Sequence, residues 1–195
     1  MRKLLTLSAV IISFLPGAYA VGQVDQRSHY AGQEQREIKS LSPDDINELR
    51  RGGGWGLAKA AELNGVPGPI HLLEMKDRIP LTSVQVSKVS VIYEDMKARA
   101  IGQGKRLIEL EHQLEGHFRT RAISDTRLRT LLAEISDVRG SLRYTHLSAH
   151  LAVLEFLTET QIERYNILRG YDGSPRNGGS GRHGVPHGKR HHGSN

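Results

Sequence analysis

The chain contains no cysteine. Disulfides, thiolate zinc sites, redox roles and cysteine-based catalysis are therefore excluded, and the fold must be held by packing or oligomerisation. It also lacks an apolar run long enough to cross a bilayer, which takes roughly 20 residues; the run over 4–15 falls short of that. A nucleotide-binding loop is missing too. Gly52-Gly53-Gly54-Trp55-Gly56 is followed by no Gly-Lys-Ser/Thr and preceded by no strand pattern, so it reads as a hinge with one tryptophan docking on the core. No serine–histidine–acid order, paired-carboxylate cleft or cofactor loop stands out, and the expectation is a protein without enzymatic activity. Nor does one sign of charge dominate. The formal net charge of +6 becomes +4 once Arg2 and Lys3 are removed. That is a mildly basic surface, and no nucleic-acid partner is expected.

What is present begins with a leader. Arg2 and Lys3, the apolar residues 4–15 and Ala18-Tyr19-Ala20 follow the order of a Sec-type signal peptide over residues 1–20, with cleavage expected after Ala20. The competing reading is an uncleaved anchor helix. Cleavage leaves an exported chain with no transmembrane segment, and without a cysteine after the site no lipid can be attached there. Residues 21–40 are polar without apolar periodicity and are expected to form a disordered arm. Residues 172–195 are Gly-, Ser-, Arg- and His-rich with Val185 as their apolar residue, and are expected to be a disordered tail.

Between these ends the chain reads as helix. Leu81-Thr82-Ser83-Val84-Gln85 and Leu157-Thr158-Glu159-Thr160-Gln161 are two copies of one helix-start signal. The threonine can cap the third helical amide, the glutamine can reach back to the threonine N–H, and the leucine can staple onto Val86 or Ile162. Weaker starts lie at Ser42-Pro43, with Asp45 at the third position, and at Ser124. Residues 41–80 are expected to hold short helices over 42–51, 57–63 and 70–78, separated by Gly/Pro loops.

From 86 to 117, Val86, Val89, Tyr93, Met96, Ala100, Gln103, Leu107, Leu110, Leu114 and His117 alternate steps of three and four. This is a heptad seam that keeps phase through Gly102 and Gly104, so one long helix with a possible bend is expected. A second helix carries Leu128, Leu131, Ile135, Val138, Leu142, Thr145, Ala149 and Val153 on one face. Leu147, Leu151 and Leu154 lie on another and need a partner of their own. The short connection at 119–123 implies an antiparallel hairpin, closed by a last helix over 159–169 that Gly170 ends. The fold class is therefore all-α: a long helical hairpin with short helices before and after it.

Paired Leu-Thr-x-x-Gln motifs flanking a helical hairpin behind a signal peptide resemble the Spy/CpxP-like LTxxQ family of periplasmic proteins. The resemblance covers residues 79–171. Leu81, Thr82, Gln85, Leu157, Thr158 and Gln161 match its motif, and Tyr144-Thr145-His146-Leu147-Ser148-Ala149-His150 falls where the family carries histidine or methionine. The stretch Glu62-Leu63-Asn64-Gly65-Val66-Pro67-Gly68-Pro69-Ile70-His71-Leu72-Leu73-Glu74 is similar to a subgroup of ZraP/CnrX-like periplasmic heavy-metal sensors. The resemblance implies a periplasmic homodimer in which two hairpins interlock into a curved cradle. It further implies an ATP-independent chaperone or envelope-stress role, with unfolded clients held on a basic, patchily apolar face. Lys97, Arg99, Lys105, Arg106, Arg119, Arg121, Arg127, Arg129, Arg139 and Arg143 could supply that face, or simply solvate the helices. The alternative it implies is a heavy-metal sensor or buffer acting with a membrane signalling partner.

The metal alternative names its own residues. His146 and His150 stand four apart on one helix, so both imidazoles can point at one ion. His71, with Glu74 or Met75, on a short helix able to fold over the same end, would complete an N/O/S site for Zn, Ni, Co or Cu. Against this stands a structural reading, in which His146 bonds a carbonyl and His150 lies on the surface. His183, His187, His191 and His192 in the tail can bind such ions loosely, without preformed geometry. His112 and His117 project to different sides and are expected to be structural.

Overall fold

A computed structural model describes residues 27–171. The expected signal peptide, residues 21–26 of the arm, and the tail with His183, His187, His191 and His192 lie outside the described residues. Residues 27–34 form a unit of their own, with turns closed by Ala31 N–H to the Ser28 carbonyl and Gln33 N–H to the Tyr30 carbonyl.

From residue 35 onward the described chain is helices and connecting turns: α1 (Pro43–Arg50), α2 (Lys59–Glu62), α3 (Pro69–Glu74), α4 (Ser83–Arg119), α5 (Asp125–Leu154) and α6 (Glu159–Arg169). Their starts follow the capping chemistry. Ser42, Thr82 and Thr158 each accept the backbone N–H three residues on, and Asp45, Gln85 and Gln161 return the bond to the cap N–H. Ser124 caps α5 by accepting the Arg127 N–H. Helix α3 stops at Glu74, earlier than the expected 78. Met75 leaves helical geometry, and its carbonyl takes the N–H groups of Arg78 and Ile79 in turns leading to Pro80.

Helices α4 and α5 pack along one another as the hairpin. The 37 residues of α4 make a rod about 55 Å long at 1.5 Å per residue. Every seam residue of α4 from Val86 to His117 is buried or half-buried, as are Leu131, Ile135, Leu142, Ala149 and Val153 on the facing side of α5. Gly102 and Gly104 do not interrupt the helix, and Gly104 has a task. A Cβ there would run into the Leu49 carbonyl, so the bare backbone lets the end of α1 rest directly on α4.

The core divides along the hairpin. Toward the α4–α5 turn, Leu41, Leu49, Ala100, Leu107, Leu110, Leu131, Ile135 and Leu142 pack with Ile38. Trp55 docks against this cluster as expected, its Nε1–H donating to Asp45 at 2.7 Å. At the open end, Leu72, Ile79, Val89, Val153 and Tyr165 form a second cluster, with Leu81 and Leu157 against it.

The burial of Ile38 corrects the expected arm: within 21–40, residues 35–40 belong to the packed unit. Ile38 is 2 % exposed, Lys39 pairs with Glu115 at 3.0 Å, and the Ser40 hydroxyl donates to Glu111 at 2.8 Å. Glu111 is itself buried and is held by Arg139 at 2.7 Å, whose guanidinium also lies 5.2 Å from the centre of the Trp55 ring. A buried carboxylate satisfied by two partners ties the start of the unit to both hairpin arms.

Candidate functional site

Between the two apolar clusters the hairpin interior turns polar. His146 and His150, one turn apart on α5, are each only 4 % exposed. Both sit at the edge of the buried stripe through Thr145, Ala149 and Val153, so the phase that buries the stripe also carries them inward. Across from them α4 presents Tyr93, Met96 and Lys97, the Lys97 ammonium standing 5.5 Å from the centre of the Tyr93 ring.

The loop before α3 forms the cover. His150 Nδ1 lies 3.0 Å from the Val66 carbonyl, so Nδ1 carries the proton and Nε2 the lone pair. Gly68 lies against the same ring, where a Cβ would stand 2.8 Å from His150 Cε1. Any larger residue at 68 would push the loop off the imidazole. The Gly68 N–H donates to the Tyr165 hydroxyl at 3.4 Å, joining the cover to α6. His146 is different, because its Nε2 is buried without any partner. Burial holds both imidazoles below the usual histidine range. For His146 the neighbouring His150 adds to this; for His150 the Val66 carbonyl and Glu62 oppose it.

These groups line a cleft of about 400 Å³, closed on other sides by Glu62, Glu74 and the Gly52–Gly54 backbone. The expected pairing of His146 and His150 with the Tyr93–Met96 stretch is what the structure has, and α3 does fold over this end. The expected metal site of His71, His146 and His150 with Glu74 or Met75 is not assembled among the described residues. His71 turns to Glu74, with Nδ1 to Oε2 at 2.8 Å, and to Glu62 at 3.9 Å, while Met75 packs into the open-end apolar cluster. Among the described residues no group of three or more His, Asp or Glu side chains is placed to hold a metal ion. His146 bonds no carbonyl and His150 is not on the surface, so the competing structural reading fails in both particulars. Outside the cleft, His117 Nε2 accepts from Arg127 at 3.5 Å, and His112 is about half exposed, 3.8 Å from Glu37.

No family model, curated protein or solved structure matches this chain. Its site is therefore read from its own atoms.

The motif glutamines do more than cap. Gln85 Nε2 donates to Gln161 Oε1 at 2.9 Å and Gln161 Nε2 donates to Gln85 Oε1 at 3.0 Å. The remaining amide hydrogens go to the Phe156 carbonyl and the Pro80 carbonyl, both at 2.8 Å. Each Oε1 also accepts its own cap N–H, from Thr82 or Thr158. Every donor and acceptor of both amides is thus used. This clasp joins the start of α4 to the start of α6, and sequence reasoning missed it because two caps 76 residues apart meet only after the hairpin has closed. Glu62 was missed as well. It belonged to the quoted stretch, but nothing in its spacing placed it beside α5.

Proposed function

We propose that the chain is an exported, periplasmic, ATP-independent holding chaperone or envelope-stress protein of the LTxxQ type, acting as a homodimer without enzymatic activity. The observation that carries this reading is apolar surface on the outside of the hairpin. Val84, Val91 and Leu151 are 63 %, 70 % and 64 % exposed. Beside them runs a groove of about 550 Å³ lined by Val91, Ile92, Ala152 and Phe156, with Lys88 5.4 Å from the Phe156 ring centre. The second stripe of α5 ends here uncovered: Leu151 is open, and Leu147 and Leu154 are half-buried. An apolar groove with Lys88 at its edge suits capture of extended polypeptide in two stages, electrostatic encounter and then apolar contact.

The expected basic face needs one revision. Arg106, Arg129 and Arg139 are neutralised by Glu134, Asp125 and Glu111 at 2.7–2.8 Å. Lys105, Arg119, Arg121 and Arg143 remain exposed, as does Arg99 beside Asp95 at 3.5 Å, and these are the cations we assign to the encounter step. Metal sensing or buffering with a signalling partner is the weaker reading, since His146 and His150 would need ligands from elsewhere to hold Zn, Ni, Co or Cu.

The test is light scattering of an aggregating client with the purified chain in stoichiometric amount and without nucleotide. Suppression is expected; undiminished aggregation rejects the proposal. Sizing by multi-angle light scattering reads the dimer.

A further inference from the structure

A buried imidazole nitrogen with no partner forfeits hydrogen bonding worth about 1–3 kcal/mol, and His146, a residue lining a cleft large enough for a small molecule, has such an atom in its Nε2. The chemistry around it defines the occupant. The cleft carries three carboxylates (Glu48, Glu62 and Glu74) against the two cations Arg51 and Lys97; Glu48 is held by Arg51 and Glu74 by His71, whereas among the described residues Glu62 has only long contacts, to Arg169 at 3.8 Å and His71 at 3.9 Å. Two uncharged imidazoles stand beside it, and His150 keeps its Nε2 lone pair because Nδ1 serves the Val66 carbonyl. Acceptors and negative charge therefore outnumber donors. A transition metal would need three or four ligand atoms meeting at about 2.0–2.3 Å from one point, and no such convergence exists among the described residues. An ammonium group makes lesser demands, because its N–H donors reach acceptors about 2.7–3.2 Å away in separate directions. The cleft wall already accommodates one ammonium, Lys97 over Tyr93.

We propose that the cleft between His146, His150 and Glu62 binds a small organic amine, its ammonium donating to His146 Nε2 and facing the Glu62 carboxylate. The alkyl part lies along Met96 and Ile70, which line the same cleft. The site is separate from the outer apolar groove of Val91 and Phe156, so amine binding and client holding can be measured independently.

The experiment is calorimetry on the purified full chain with 1,4-diaminobutane as probe, tetramethylammonium as a cation without N–H donors, and zinc chloride as the metal arm. The diamine is expected to bind one per chain, tetramethylammonium not to bind, and Glu62→Gln and His146→Phe each to weaken the diamine by about tenfold or more. Glu62 is half-buried at the cleft wall, so its variant keeps the test open where His146→Phe fails to fold. The proposal is overturned by absence of diamine binding, by equal affinity in Glu62→Gln, by equal binding of tetramethylammonium, or by zinc alone binding in a His146-dependent manner.

Discussion

Gln85 and Gln161 hold the molecule shut with four amide hydrogens and four lone pairs, all engaged. Removing one amide strands the partners of the other. Gln161→Leu leaves the Pro80 carbonyl, the Thr158 N–H and half of the Gln85 amide unpaired; water can reach the exposed Pro80 and Thr158, and the loss at the half-buried Gln85 amide costs about 1–3 kcal/mol. The expected outcome in urea unfolding is a loss of at least that size. Adding Gln85→Leu should cost less than it does alone, with a coupling of about 0.5–3 kcal/mol; strict additivity would show the clasp to be no unit. The histidines make a second prediction. Their folded pKa values lie below the ordinary 6.5 because burial disfavours the charged ring. As pH falls through 6.5 the unfolded chain takes up protons that the folded chain refuses. Their contribution is thus complete above that pH and is lost between it and the lower folded values. Melting temperature should fall on acidification in this window, and the fall should shrink in His146→Phe. An identical fall in that variant would assign it to other groups.

At the scale of elements, α1 is seated on α4 by an absence. Gly104 has the Leu49 carbonyl where a side chain would be, whereas a Cβ at Gly102 would meet nothing within 4 Å. Two glycines one residue apart therefore carry opposite expectations. Gly102→Ala should stabilise by about 1 kcal/mol through helix propensity. Gly104→Val should cost about 1–3 kcal/mol by forcing α1 away, and chemical denaturation reads both. The helices themselves were legible in the sequence because their signals are local: a cap, its third-position partner and a period of 3.6. The α6 boundaries agree to the residue, and the seam from Val86 to His117 is buried as its spacing requires. Ile38 was not legible. With Leu41 it makes only two apolar residues next to a polar run, too few for a period, and its burial depends on Leu107, Leu110 and Leu131 from distant elements. The site was legible in half for the same reason. The step of four between His146 and His150 brings them to one wall, but where His71, Met75 and Glu62 point is decided by how a Gly/Pro loop crosses α5.

For the whole molecule, the inside and the outside have separate tasks. The interior is two apolar clusters with a polar cleft between them, fastened at the open end by the glutamine clasp. The outside of the hairpin keeps Val84, Val91 and Leu151 in water, with the apolar groove of Ile92, Ala152 and Phe156 beside them. The proposed holding role lives on that outer surface, and it predicts that activity can be removed without unfolding the protein. The measurement is client light scattering with the Val91→Asp/Leu151→Asp variant beside the unmodified chain, after unfolding curves confirm that stability differs by no more than about 1 kcal/mol, as expected for exposed positions. The account predicts that the unmodified chain suppresses aggregation and the variant does not. Equal suppression by both would contradict it.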